Sequence, residues 1–312
     1  MASRIVISGA GGLLGRVLAG QAAQLGRDVL ALTSAEWDIT DATAGERFIA
    51  HGDIVINCAG YTQVDVAEAE PERAMAVNAI GPQFIAQTCA RAGASLIHLS
   101  TDYVFSGSFD LASGPESGPE SGIASRNGSC GEPRPYEIDD ETGPLSVYGR
   151  TKLAGESRVL SAMPDAHVVR TAWIYEGGDG SDFAATMRRA AAGSGTVEVV
   201  ADQVGSPTYV GDLAGALLQI ADGSIREPVL HAANGGAVSR FEQAQAIFEE
   251  VGADPNRVRP VGSDRHPRPA PRPMYSALSG VKSAAAGLTP LRPWREALAE
   301  ALAVAGPISS TP

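Results

Sequence analysis

Tyr148-Gly-Arg-Thr-Lys152 places a phenol and an ammonium four residues apart. On a helix, that spacing puts both side chains on one face. An ammonium beside a phenol stabilises the tyrosinate and draws its pKa toward working pH. Such a pair suits the delivery of a proton to a carbonyl oxygen while a hydride reaches the carbon. Taken alone, the spacing is common among exposed helix pairs. A second group sharpens it. Ser100-Thr101-Asp102-Tyr103 follows the run Leu96-Ile-His-Leu99, and residues at the carboxyl end of a parallel strand line the ligand crevice. Thr101 is the first choice for a hydroxyl that bonds the reacting oxygen, and Ser100 the second. His98 lies inside the run and reads as a packed core histidine, not as a base.

The source of hydride is implied near the N-terminus. Gly9-Ala-Gly-Gly12-Leu-Leu-Gly15 stands between an apolar run and a helical pattern. Glycines there allow a tight turn and let the backbone approach a pyrophosphate at the helix N-terminus, which implies a dinucleotide. NAD-selective sites carry an acid at the end of the second strand, about 20 residues on. Here that strand ends Leu32-Thr33-Ser34, with no acid. NADPH is therefore favoured, and NADH is left open. Asp38, followed by Ile39, either contacts the adenosine or caps a turn before Asp41.

The elements that must hold these groups follow from periodicity. Short β-branched runs at 4–8, 28–32, 54–57, 95–100 and 168–171 read as strands. Helical patterns cover 13–25 and 69–93. Nearly continuous apolar strands separated by helices imply a parallel sheet covered on both faces. The expected fold is α/β, a doubly wound Rossmann-like sheet with a smaller C-terminal α/β substrate lobe. Residues 1–172 form the dinucleotide-binding domain. Residues 173–312 form mainly the substrate lobe, with an element near 212–234 returning to the first domain. In the lobe, Ser239-Arg-Phe-Glu242 fits a capping box that opens a helix. The segment 106–135 contains Ser-Gly-Pro-Glu twice in tandem and few large apolar residues, so it reads as a flexible insert.

Composition excludes other classes. The 24 basic and 36 acidic residues give a net charge of −12, which repels a nucleic-acid backbone. Hydrophobic residues at 44% and charged residues at 19% argue against disorder. Cys58, Cys89 and Cys130 form no Cys-x-x-Cys pair, so neither a zinc site nor a disulfide framework is suggested. No run approaches the roughly 20 apolar residues of a membrane helix, and no signal-peptide pattern opens the chain. The expectation is a cytoplasmic protein without a membrane partner.

As an ordered set, the motifs resemble the extended short-chain dehydrogenases/reductases, and among these the dTDP-4-dehydrorhamnose reductase family. The residues that carry the resemblance are Asn57-Cys-Ala-Gly-Tyr-Thr62, Val64-Asp65, Val77-Asn78-Ala-Ile-Gly-Pro82 and Ser100-Thr-Asp-Tyr-Val-Phe105. Tyr148-Gly-Arg-Thr-Lys152, Arg170-Thr-Ala-Trp173, Asp202-Gln-Val-Gly-Ser-Pro-Thr208 and Arg272-Pro273 continue the set. The resemblance implies reduction of the C4 keto group of dTDP-4-dehydro-β-L-rhamnose to dTDP-L-rhamnose. It implies a catalytic trio in which Tyr148 protonates the new hydroxyl, Lys152 tunes Tyr148 and holds the nicotinamide ribose, and Thr101 orients the carbonyl oxygen. Gly9, Gly12, Leu13, Leu14, Asp38, Ile39, Ala59, Gly60 and Thr62 match cofactor contacts, and Gly15 completes their loop. Asp102, Tyr103, Trp173 and Arg272 match positions near the sugar nucleotide, where the Arg272 fork suits diphosphate.

Tyr103 stands where related 4,6-dehydratases carry a glutamate base, which argues against that chemistry. Some members bridge a dimer through Mg2+ and acids of the first helix. The span 13–25 holds no acid, so the metal and its ligands stay open, as does the choice between monomer and homodimer. Two other readings remain: a reductase of another dTDP-4-keto-6-deoxyhexose, and a dinucleotide-binding regulatory subunit. The intact trio argues against the second.

Overall fold

The computed structural model describes residues 3–107 and 133–306. Its strands are β1 (Ile5–Ser8), β2 (Val29–Leu32), β3 (Ile54–Asn57), β4 (Ser95–Thr101), β5 (His167–Thr171) and β6 (Val229–His231). They form one sheet in the order β6–β5–β4–β3–β1–β2, every neighbouring pair parallel. The principal helices are α1 (Leu13–Gln24), α2 (Gly81–Ala92), α3 (Val147–Ala162), α4 (Phe183–Ala192), α5 (Val210–Ala221), α6 (Arg240–Glu250) and α7 (Trp294–Ala305).

The strands are apolar throughout because both faces are covered. Ile5, Ile7 and Ile56 face a core shared with α1 and α5. Val6, Val55 and Leu96 face the opposite core, with Ile85 of α2 and Val159 of α3. That alternation is the period-two geometry of a strand. β2 lies on one side of β1 and β3 on the other, so the chain reverses direction there, and the crevice opens at the carboxyl ends of β1 and β3.

A third core gathers Tyr175, Met187 of α4, Val199, Phe248 of α6 and Leu298 of α7. Beside it, strand Val197–Val200 pairs in parallel with Val258–Val261. The capping box at α6 is complete: Ser239 Oγ accepts from the Glu242 amide at 3.1 Å, and Glu242 accepts from the Ser239 amide at 2.9 Å. α5 and β6 pack with the large sheet, β6 directly on β5.

The span 69–93, read as a helical run, is helical from 71 to 92 in the structure, with one wide turn inside it. An α-helical turn (Pro71–Met75) passes through a π-helical turn (Ala76–Ile80) into α2. One wide turn leaves a 3.6-residue pattern almost unaltered, so periodicity does not reveal it. Both copies of the repeat in the 106–135 insert, and Cys130, lie outside the described residues. No helix among the described residues is long and apolar enough to cross a membrane.

Candidate active site

The loop after β1 is shaped by steric need. Gly9 has φ +72°, and a Cβ there would lie 2.6 Å from the Ala59 amide nitrogen. A Cβ on Gly15 would lie 2.4 Å from the Gly9 carbonyl oxygen. The turn therefore closes on itself and on the end of β3. Gly12 caps α1 without a side-chain bond, and the first turn of α1 holds no acid. Its amides are left to receive an anion, which fits a dinucleotide diphosphate. Leu14 is buried in the first core and Leu13 packs against it, so their side chains support the loop from behind. Asn57 Oδ1 accepts from Ser8 Oγ at 2.7 Å and from the Ala59 amide at 3.1 Å, tying β1 to β3. Gly60 and Thr62 are exposed beyond this tie.

The end of β2 differs from the sequence reading. Glu36 turns back on it and accepts from both the amide and the hydroxyl of Thr33, each at 2.8 Å. Those bonds hold its carboxyl below the usual range. An acid therefore does stand there, supplied from three residues past Thr33. Asp38 Oδ1 accepts from the amide and hydroxyl of Thr40 at 2.9 and 2.7 Å, so it caps a turn. Ile39 is buried in the second core.

Tyr148 and Lys152 lie on α3, whose N-cap Ser146 accepts from the Gly149 amide at 3.1 Å. The helix packs backbone to backbone. A Cβ on Gly149 would lie 2.3 Å from the Tyr103 carbonyl, and one on Gly155 would lie 2.1 Å from that of Asn78. This approach sets the Tyr148 side chain beside the 102–104 turn that follows Thr101. The Tyr103 ring stands edge-on to Tyr148, with centroids 5.7 Å apart at 77°. Thr101 Oγ1 donates to Asp102 Oδ1 at 2.9 Å, and Asp102 Oδ2 accepts from Ser276 at 2.6 Å. Burial pushes the Asp102 carboxyl up to about 6, against those two bonds and the charge of Arg240.

The expected lowering of the Tyr148 pKa by Lys152 is not found. Burial raises it, with Asp102 and Tyr103 acting in the same direction. Lys152 instead donates to the Leu99 carbonyl. Burial lowers its pKa to about 8, with Glu156 opposing. A phenol that keeps its proton at neutral pH is what a proton donor requires. Ser100 is turned beneath α3, where it donates to Glu156. Arg170 holds that carboxylate with two bonds, at 3.0 and 2.8 Å. Ser100 is therefore engaged elsewhere, which leaves Thr101 as the hydroxyl at the carboxyl end of β4. His98 is fully buried, its Nδ1 3.0 Å from Asn57 Nδ2.

Residues 3–306 match a family described as the RmlD substrate binding domain. A dTDP-4-dehydrorhamnose reductase of Mycolicibacterium smegmatis is 63% identical over 318 residues, spanning 100% of this chain and 90% of that one. One from Mycobacterium tuberculosis is 62% identical over 308 residues, spanning 99% and 94%. The chain belongs to the dTDP-4-dehydrorhamnose reductase family. Among solved structures, the Bacillus anthracis dTDP-4-dehydrorhamnose reductase in complex with NADP superposes with a TM-score of 0.85 at 32% identity, covering 97% of this chain and 100% of that one.

In this reductase the four residues expected near the sugar nucleotide are placed unequally. Tyr103 stands edge-on to Tyr148, and Trp173 packs on the cluster of Val104 and Phe105, which follow Tyr103 in the chain. Asp102 is 2% exposed, with its carboxylate turned to Thr101 and Ser276. Arg272 is paired with Asp65 at 3.0 Å and also donates to the Ala270 carbonyl at 3.0 Å. Trp173 has φ +46°, unusual for a bulky residue and a mark of local strain. Its indole lies on Gly205, where a Cβ would meet Cε2 at 2.4 Å.

No group of three or more His, Cys, Asp or Glu among the described residues is arranged to hold a metal, so the Mg2+ expectation finds no support. Sequence reasoning gave no role to Glu36, Asn78, Glu156 or Arg240. Asn78, on the π-turn, accepts from the Tyr61 amide at 2.7 Å and donates to Thr151 Oγ1 at 3.1 Å, joining the loop after β3 to α3. It had a signal, its place in a quoted motif. The others had none.

Proposed function

We propose that this reductase converts the C4 keto group of dTDP-4-dehydro-β-L-rhamnose to the hydroxyl of dTDP-L-rhamnose. NADPH, when bound, supplies the hydride. Tyr148 gives its proton to the developing C4 oxyanion. Thr101 orients that oxygen by turning its one hydroxyl proton to it from Asp102 when the sugar nucleotide is bound. Lys152, anchored on the Leu99 carbonyl, presents its remaining donors to the ribose next to the nicotinamide. Residues 1–172, with α5 and β6, hold the cofactor, and the rest of 173–312 holds the sugar nucleotide. Ionised Glu36 also suits a free ribose 2′-hydroxyl, so NADH is a second donor in this reading.

The observation that carries the proposal is the placement of Tyr148 on α3, edge-on to Tyr103, two residues past Thr101 at the carboxyl end of β4. The test is incubation of the purified chain with NADPH and enzymatically prepared dTDP-4-dehydrorhamnose. Loss of NADPH absorbance with formation of dTDP-L-rhamnose is expected. No oxidation above the rate without sugar nucleotide would overturn the reading.

A further inference from the structure

Arg240 opens α6 immediately after the capping serine. Its guanidinium carbon lies 3.5 Å from the centroid of the Trp173 ring and 4.8 Å from that of Phe183. Contacts of this kind engage the cation through the rings and leave its N–H donors to other partners. Of these, Nη1 donates to Gln243 Oε1 at 3.1 Å, and no carboxylate among the described residues forms a salt bridge with it. A half-buried guanidinium that binds no carboxylate keeps donors free for an anion. Burial draws its pKa down to about 10, while Tyr103 and Asp102 oppose that and Arg272 adds to it.

The surroundings say what is missing. The charges of Arg240 and Arg272, from separate stretches, both act on the Tyr103 hydroxyl and oppose the rise that burial gives it. Asp65 neutralises Arg272. Asp102 faces Arg240 but already accepts from Thr101 and Ser276. Among the described residues, the Arg240 fork is therefore left without a bound carboxylate on the wall that also carries Trp173. A planar fork with free edges matches phosphate oxygens in pairs, and the ring stack fixes the plane of that fork in advance.

We propose that Arg240 is a ligand for the diphosphate of the sugar nucleotide, closing on it opposite Arg272 with Trp173 as its platform. This rests on the function proposed above and adds to it the residue that recognises the anion. The strained backbone at Trp173 then has a use, because the indole must stand where the guanidinium can lie on it.

Titration calorimetry in the presence of NADP+ tests this, with dTDP and thymidine as probes. The proteins are wild type, Arg240→Gln and Arg240→Lys. The expected result is a loss of dTDP affinity of at least ~10-fold in Arg240→Gln, with thymidine and NADP+ affinities unchanged. Arg240→Lys, which keeps the charge and loses the fork, should fall between the two. Equal losses for dTDP and thymidine would make Arg240 only a prop for Trp173 and overturn the proposal. So would dTDP affinity within ~2-fold of wild type in Arg240→Gln. A wild type that binds UDP as well as dTDP, with both weakened in Arg240→Gln, upholds the diphosphate role while refuting the dTDP assignment.

Discussion

Replacing Asp102 by Asn should change how stability depends on pH. Burial raises this carboxyl from 3.8 to about 6, the bonds from Ser276 and Thr101 and the charge of Arg240 opposing it. The folded chain therefore keeps a proton on Asp102 over a range in which the unfolded chain has lost it. With a raised folded pKa, the linked stability is fully present below 3.8 and is lost as pH rises through about 6. Two units at about 1.4 kcal/mol each give ~3 kcal/mol. Asn does not titrate. The stability of wild type minus that of Asp102→Asn should therefore fall by ~3 kcal/mol between about pH 4 and about pH 7. Reversible urea unfolding of both proteins at several pH values measures the difference. A difference constant across that window would refute the reasoning. It would mean that the hydrogen bonds from Ser276 and Thr101 outweigh burial and keep Asp102 ionised in both states.

Two further substitutions probe the supports of the site. Glu156→Gln leaves Arg170 buried without its partner, both side chains being at most 6% exposed, and should cost ~3–5 kcal/mol in urea unfolding. A loss under ~1 kcal/mol would show that the pair does not hold α3 against β5. Gly205→Ala sets a Cβ 2.4 Å from Trp173 Cε2 and should displace the indole. KM for the sugar nucleotide then rises while KM for NADPH stays the same, and an unchanged sugar-nucleotide KM would contradict a role for Trp173 in binding.

What could be read from the sequence was local. The strands 4–8 and 54–57 announce themselves because both faces of the sheet are covered, which makes the runs apolar. Tyr148 and Lys152 are found because a helix converts a spacing of four into a shared face. Thr101 is found because it ends a strand. The misreadings come from side chains that act across space. Glu36 looks like part of a loop until its carboxylate is seen folding back on Thr33. The π-turn at Asn78 costs one register step that periodicity does not record. The pKa of Tyr148 was read from its nearest cation, whereas burial governs it. Arg240 meets Trp173 only across space, where the start of α6 approaches the chain just past β5, and nothing in Ser-Arg-Phe-Glu distinguishes it from an exposed helix arginine.

The most direct test of the proton-donor assignment is the rate of hydride transfer to dTDP-4-dehydrorhamnose in Tyr148→Phe under single-turnover conditions. A loss of ~100-fold or more is expected, because a positioned general acid contributes on the order of 10²–10⁴. NADP+ affinity and melting temperature should be preserved. A variant that transfers hydride at a rate near wild type would contradict the assignment of Tyr148 as the donor.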